Sequence, residues 1–202
     1  MENSPAFRRV ITVPNLLSLV RVLLIPVFFV YSVRGEFRLA LIIFVTAALT
    51  DVVDGYLARR LNQRSQIGAV LDPAADKILM IVGFITYTLH DAVMYPLPGW
   101  LTLTIFTRDA AIVFVAYLLF TRMQIRRFPP TIAGKISTVT QAVALSVAIL
   151  VNAVPSPGWR LFAELLFPAA LIATLYSSAG YLLRADAMLR KSRETGVNAV
   201  SS

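Results

Sequence analysis

The sequence predicts an all-α integral membrane protein with six transmembrane helices. The first indication is composition: 57% of the 202 residues are hydrophobic and only 15% are charged, with a mean hydropathy of +0.72. A soluble domain would be nearer a quarter charged. The second is the position of the helix breakers, because short segments containing Gly, Pro or Arg separate the apolar runs. Each run is close to the roughly 20 residues that a helix needs to cross a bilayer.

The apolar runs set the bounds of the predicted helices at residues 15–33, 38–61, 68–90, 98–121, 134–154 and 159–183. Pro14 suits the first turn of the first helix, where its missing N–H costs nothing. We expect residues 1–11 to form a short interfacial helix, although a frayed terminus fits them equally well. Residues 194–202 are polar, and we expect a disordered tail. The whole chain, 1–202, is predicted to form one membrane domain.

The counts of Cys and His exclude several classes of function. The chain has no Cys and one His, which excludes disulfides, Cys/His zinc sites and Cys–His catalysis. The net charge of +8 suits a protein that faces anionic lipid or anionic substrates. Nucleic acid would also attract this charge, but the high hydropathy argues against such a partner.

The distribution of basic residues predicts the orientation in the membrane. Most Lys and Arg residues lie at the two termini and in the connections after the second and fourth helices. The opposite side carries only Arg34, Arg38 and Arg160. The positive-inside rule therefore places both termini in the cytoplasm. A small polytopic protein without Cys is compatible with a bacterial inner membrane.

Four aspartates occur where a membrane protein should have few charges. Asp51 and Asp54 are three residues apart near the end of the second predicted helix, and Asp72 and Asp76 are four apart near the start of the third. Both spacings put a pair on one helix face, and ionisable residues at membrane depth indicate function by default. Two divalent cations would neutralise the four carboxylates, and oxygen ligands favour Mg²⁺ or Mn²⁺. Two such metals suit a phosphoryl transfer.

The residues between the aspartates fit a phosphate-bearing ligand. Gly55 and Ala58 keep one face small, so that a ligand can approach the backbone. Arg59 lies one turn beyond Gly55 and can bridge phosphate oxygens in bidentate fashion. A structural salt-bridge network or the cation pathway of a small transporter remains an alternative explanation for the acidic residues.

The full pattern resembles the CDP-alcohol phosphotransferase family. The motif D-x2-D-G-x2-A-R-x8-G-x3-D-x3-D is met at all eight fixed positions between Asp51 and Asp76. The resemblance implies a six-helix membrane enzyme, a cytoplasmic active site and a homodimer. It also implies transfer of a phosphoryl-linked group from a CDP-alcohol to an acceptor hydroxyl, with release of CMP.

The resemblance implies a role for each motif residue. Asp51, Asp54 and Asp72 would hold two divalent cations, Mg²⁺ or Mn²⁺, and Asp76 would complete the second metal site. Asp76 would also be the catalytic base that takes the proton of the acceptor hydroxyl. The residues expected to bind the CDP donor are Thr12, Pro14, Asn15, Gly55, Ala58, Arg59, Ser65 and Gly68.

The acceptor residues resemble the phosphatidylglycerophosphate synthase branch. They are Arg108, Lys135, Thr138 and Gln141, the last three spaced three apart on one predicted helix face. This branch implies CDP-diacylglycerol as donor and glycerol 3-phosphate as acceptor. The sequence departs from this branch at Ser137, where Lys is frequent, and at Asp109, where Glu is frequent. The Arg108–Asp109 pair also resembles cardiolipin synthases of this family, whose acceptor is phosphatidylglycerol. Arg108 could instead simply form an ion pair with Asp109.

Overall fold

The computed structural model describes the backbone of residues 13–60, 68–123 and 131–200, and the side chains of residues 19–50, 74–118, 121 and 131–184. This part of the chain is entirely helical apart from its connections. Its six helices are α1 (Val13–Val33), α2 (Phe37–Arg60), α3 (Gly68–Leu89), α4 (Gly99–Met123), α5 (Ile132–Ala153) and α6 (Pro157–Val200).

The helix ends show why the chain breaks where it does. After α1, Gly35 takes a positive φ of 76°. The Glu36 N–H donates to the Tyr31 carbonyl at 3.0 Å and the Gly35 N–H to the Ser32 carbonyl at 3.1 Å, which is the Schellman arrangement that favours glycine. At the start of α5, the Thr131 hydroxyl accepts the Gly134 N–H at 2.8 Å and so caps the helix.

The predicted helices agree with the observed ones except at the end of the chain. Five helices match to within two or three residues at each end. The last helix is much longer than predicted, because α6 continues to Val200, and residues 194–200 are helical where a disordered tail was expected. The segment after Arg184 contains Ala, Met, Leu, Arg, Lys and Glu and no Pro, and such residues have favourable helix propensities. The predicted interfacial helix, 1–11, lies outside the described residues.

The chain divides into two compact units. Unit 1 comprises residues 1–97 and 145–160, and unit 2 comprises residues 98–144 and 161–202. In unit 1, α1 packs against α2 and α3. The centre of this contact is aromatic, with the Phe28 ring centroid 5.6 Å from that of Phe44 and 6.3 Å from that of Tyr87. Such pairs add to the burial of apolar area and fix the register of the helices.

Unit 2 contains α4, the first part of α5 and most of α6. Its interior contains a hydrogen-bonded polar cluster. Gln141 Nε2 donates to the Ser137 and Thr174 hydroxyls, each at 3.1 Å, and all three side chains are buried. Buried polar groups need such partners, because an unsatisfied donor or acceptor is costly.

Three helical segments in the described chain are long and apolar enough to cross a membrane: Gly99–Leu118, Ile132–Ala153 and Pro157–Arg184. Two shorter apolar segments, Leu19–Val33 and Phe37–Thr50, lie in α1 and α2. Large apolar side chains are exposed along these helices, for example Leu103, Val113 and Ile172, as expected where the solvent is lipid.

Candidate active site

The structure places the four motif aspartates on helical backbone in unit 1. Asp51 and Asp54 lie in the last three turns of α2, and Asp72 and Asp76 lie in the first three turns of α3. The predicted spacings of three and four residues therefore do put each pair on one helix face. The side chains of Asp51, Asp54 and Asp72 lie outside the described residues.

The predicted donor-binding residues are located by their backbone alone. Pro14 and Asn15 belong to the first turn of α1, and Gly68 is the first residue of α3. Gly55, Ala58 and Arg59 follow the first two aspartates on α2. Their side-chain positions lie outside the described residues, as do Thr12 and Ser65 altogether.

Asp76 is the motif aspartate whose side chain is described, and it forms an ion pair. Its Oδ1 atom accepts a hydrogen bond from Arg21 Nη1 of α1 at 2.7 Å. The Arg21 guanidinium is fully buried, whereas the Asp76 carboxylate is partly exposed. The Asp76 side chain is therefore anchored from inside the unit and open on the outside, where a ligand can reach it.

Arg21 is the functional candidate that the sequence reasoning missed. Its signal was present, because a single Arg interrupts the apolar run of α1 and an ionisable residue inside a membrane helix indicates function. Nothing in the local sequence indicates its partner, which is 55 residues away.

The chemistry of the donor set fits a hard divalent cation. Carboxylates are ligands that Mg²⁺ and Mn²⁺ accept, and the motif brings four of them to two helices. Within the described side chains, no three acidic or His residues are close enough together to hold a metal ion. Of the four motif aspartates, only Asp76 is among those side chains. The charge of Asp76 is already partly balanced by Arg21.

In unit 2, the predicted acceptor residue Arg108 has partners within the protein. Its Nη1 donates to Asp109 Oδ1 at 2.9 Å and its Nη2 donates to the Ser177 hydroxyl at 2.8 Å. The guanidinium carbon also lies 5.6 Å from the centre of the Tyr181 ring, within cation–π range. Arg108 thus forms the ion pair that was the alternative to an acceptor role.

The three predicted acceptor residues on α5 do not share one environment. Lys135 and Thr138 are exposed, whereas Gln141 is buried and donates to Ser137 and Thr174. A step of three residues falls about 60° short of a full helical turn, so two such steps move Gln141 away from Lys135. The exposed cation of this set is Lys135, and Gln141 contributes to helix packing.

A cavity of about 370 Å³ lies beside Arg108 in unit 2. It is bordered by α4 and α6, and most of its exposed lining is apolar, from residues such as Leu103, Ala111 and Leu175. Its polar lining residues are Thr104, Thr107, Arg108, Ser178 and Tyr181. An apolar cavity with one cationic group suits the apolar part of an amphipathic ligand better than a small polar one.

Comparison with known proteins connects this geometry to one family. Residues 11–176 match the family model described as CDP-alcohol phosphatidyltransferase. A CDP-diacylglycerol–glycerol-3-phosphate 3-phosphatidyltransferase of Aquifex aeolicus is 31% identical over 182 residues, which cover 89% of this chain and 98% of that protein.

Two further relatives are named for a different acceptor. The human cardiolipin synthase (CMP-forming) is 34% identical over 154 residues, which cover 68% of this chain and half of that protein. A Mycobacterium tuberculosis protein that is provisionally named a cardiolipin synthase is 38% identical over 154 residues, covering 74% of this chain and 70% of that protein.

Proposed function

The chain belongs to the CDP-alcohol phosphatidyltransferase family, and from this premise we propose that it moves a phosphatidyl group from CDP-diacylglycerol to glycerol 3-phosphate, releasing CMP. The observation that carries the proposal is the Asp76 carboxylate. Asp76 is the last of the eight fixed positions of the motif, its carboxylate is partly exposed, and the buried Arg21 guanidinium holds it. Family membership favours this transferase over the cation transporter that the acidic residues alone also allowed.

We propose that Asp51, Asp54, Asp72 and Asp76 hold two divalent cations, Mg²⁺ or Mn²⁺. When bound, the cations would neutralise the diphosphate charge of the donor and the phosphate charge of the leaving CMP. Arg59, one turn beyond Gly55, would contact the same phosphates as a bidentate donor. Small residues at 55, 58 and 68 leave room for the nucleotide to approach the helix backbones.

The transfer requires one bond to form and one to break. The acceptor hydroxyl oxygen attacks the phosphorus that carries diacylglycerol, and the bond from this phosphorus to the oxygen bridging to CMP breaks. The electron pair of that bond leaves with CMP. The hydroxyl proton passes to the Asp76 carboxylate, which acts as general base. Positioning of the two substrates and balance of charge supply most of the rate enhancement.

Lys135 is the residue we propose for the phosphate of the acceptor. It is the exposed cation among the predicted acceptor residues on α5, and an ammonium group binds phosphate as a point charge. Ser137, where relatives of the glycerol 3-phosphate branch often have Lys, is fully buried and 3.3 Å from the Thr174 hydroxyl. This chain has no basic side chain at that position, so we assign the phosphate contact to Lys135.

Cardiolipin synthesis from phosphatidylglycerol is the second candidate function. The aliphatic cavity beside Arg108 favours it, because a lipid acceptor brings acyl chains that need an apolar site. The names of the relatives are divided between the two acceptors. Both candidates share the donor, the leaving group and the role of Asp76, and they differ only in the acceptor.

We also propose the membrane arrangement. The three apolar spans and the two shorter apolar segments support a multi-pass membrane protein, and six crossings would place all connections in water. The distribution of Lys and Arg supports cytoplasmic termini and a cytoplasmic active site. We further propose that the protein is a homodimer in a bacterial inner membrane. Crosslinking of the protein in native membranes would test the oligomeric state.

The decisive experiment measures CMP release by the purified protein in detergent with CDP-diacylglycerol and Mg²⁺. Glycerol 3-phosphate and phosphatidylglycerol are supplied in separate reactions. We expect release with glycerol 3-phosphate; release with phosphatidylglycerol alone would assign the second candidate. Chelation by EDTA should abolish release and added Mg²⁺ or Mn²⁺ should restore it. If neither acceptor supports release and CMP with Mg²⁺ does not raise the melting temperature, the proposal is wrong.

A further inference from the structure

The buried face of α1 contains one charged residue among apolar ones. Arg21, Ile25 and Phe28 are all buried and follow one another at helical spacing. The Arg21 side chain has 0% exposure, and its Nη1 lies 2.7 Å from Asp76 Oδ1. A guanidinium in such a place is costly unless it is paired, so its retention calls for a specific reason.

The two ends of this ion pair lie in different surroundings. Asp76 is 44% exposed while Arg21 is not exposed at all, so the cation is fixed in the interior and the carboxylate reaches the surface. On α3, the neighbouring Ala75 and Leu79 are buried and hold the helix against the core of unit 1. A pair that served only to join two helices would have no need of an exposed carboxylate.

We propose that Arg21 is a positioning residue for Asp76. By fixing one carboxylate oxygen through Oδ1, Arg21 sets the rotamer of Asp76 and therefore the direction from which the acceptor hydroxyl meets it. This inference rests on the proposed function, because it assumes that Asp76 takes part in the transfer. Arginine suits the task because its planar fork fixes direction as well as charge.

The competing explanation is that Arg21 only docks α1 onto α3. Arg21 lies seven residues after Pro14 on the same helix, so loss of docking would shift the predicted donor-binding segment at the start of α1. The two explanations differ in the kinetic constant that they affect. Positioning of Asp76 acts on kcat, whereas displacement of α1 acts on the KM for CDP-diacylglycerol.

The test compares Arg21→Gln and Arg21→Lys with Arg38→Gln. Arg38 is the matched control, because it also joins two helices of unit 1, through Nε and the Ala153 carbonyl at 3.3 Å, and lies at the other end of α2 from the motif. Since a misplacement of about 1 Å can cost about 100-fold, we expect kcat to fall roughly 100-fold in Arg21→Gln and roughly tenfold in Arg21→Lys. The donor KM should stay within about twofold in both, and Arg38→Gln should keep its kcat.

Two results would overturn the inference. One is a kcat unchanged in both Arg21 variants. The other is a loss of kcat together with a rise in the donor KM and loss of the thermal stabilisation of the protein by CMP and Mg²⁺. That combination would mean that α1 had moved. If Arg21→Gln does not fold, Arg21→Lys decides by the same criteria.

The Asp76→Asn variant separates this inference from the proposed function. Turnover retained in Asp76→Asn would show that Asp76 is not the base, and the proposed function would fail in that part. An inactive Asp76→Asn together with fully active Arg21 variants would leave the base in place and remove only the positioning role of Arg21.

Discussion

Among the described side chains, each unit has an arginine of low exposure paired with an aspartate, but the two pairs leave their carboxylates in different surroundings. Arg21 in unit 1 is fully buried and joins a carboxylate on another helix that is 44% exposed. Arg108 in unit 2 is 8% exposed and joins the adjacent residue, Asp109, which is only 16% exposed. The first pair presents an anion at the surface, and the second keeps both charges inside.

This difference shows that a buried arginine does not identify a substrate site by itself. Arg108 donates to Asp109 and Ser177 and lies over Tyr181, so its charge is already balanced inside the protein. Buried pairs of this kind cost desolvation energy and are poor evidence for stability. The exposure of the carboxylate, not the burial of the cation, is the feature that points to chemistry.

The largest effect is expected from removing the exposed carboxylate. Asp76→Asn keeps an oxygen that can accept the Arg21 hydrogen bond but cannot take a proton, so kcat should fall roughly 10²–10⁴-fold, the usual contribution of a general base. The matched change in the enclosed pair, Asp109→Asn, should lower kcat by no more than about tenfold, because its carboxylate is enclosed and paired with Arg108. CMP release measures both.

The melting temperature with CMP and Mg²⁺ provides the control for folding in this comparison. Asp76→Asn should still be stabilised by CMP, because the donor is held mainly by other residues. Near-normal turnover in Asp76→Asn, or an equal loss of kcat in Asp76→Asn and Asp109→Asn, would show that the two ion pairs do not differ in function.

An intermediate effect is expected at the exposed cation of α5. Lys135→Ala should raise the KM for glycerol 3-phosphate roughly tenfold, the effect of one lost hydrogen bond to a charged group. Arg108→Gln should change this KM less and lower the melting temperature more, because it breaks internal contacts. Acceptor titrations at saturating donor separate the two. A larger rise in KM for Arg108→Gln would assign the phosphate to Arg108 instead.

Much of the fold could be predicted from the sequence because hydropathy and breaker residues act locally. The connection at residues 34–36 shows this, since Gly35 supplies the positive φ that ends α1. The spacing of the aspartates on α2 and α3 was also predictable, because helical periodicity decides which residues share a face. The helical backbone of residues 194–200 was not, because polarity alone does not distinguish a disordered segment from a helix.

The parts of the site that depend on tertiary contacts could not be predicted from the sequence. The pairing of Arg21 with Asp76 joins residues 55 positions apart, and no local rule selects that partner. Gln141 was predicted from its spacing to Lys135, but the packing of α5 against Thr174 decides its orientation. The surroundings of single polar residues therefore required the structure, and the acidic motif stays a prediction from its spacing.

The smallest effect tests how the enclosed pair is held. A Cβ atom on Gly134 would lie 2.7 Å from the Tyr181 hydroxyl and 3.0 Å from Thr131 Oγ1, so Gly134→Ala must displace the ring that covers Arg108. The free energy of unfolding should fall by about 1–3 kcal/mol, as for overpacking elsewhere. Gly180→Ala is the control, because a Cβ there meets nothing within 4 Å and should stabilise the helix by about 0.5–1 kcal/mol. Opposite shifts in melting temperature are therefore expected. Equal shifts would mean that Tyr181 moves at no cost, and that Arg108 is held by Asp109 and Ser177 without the ring.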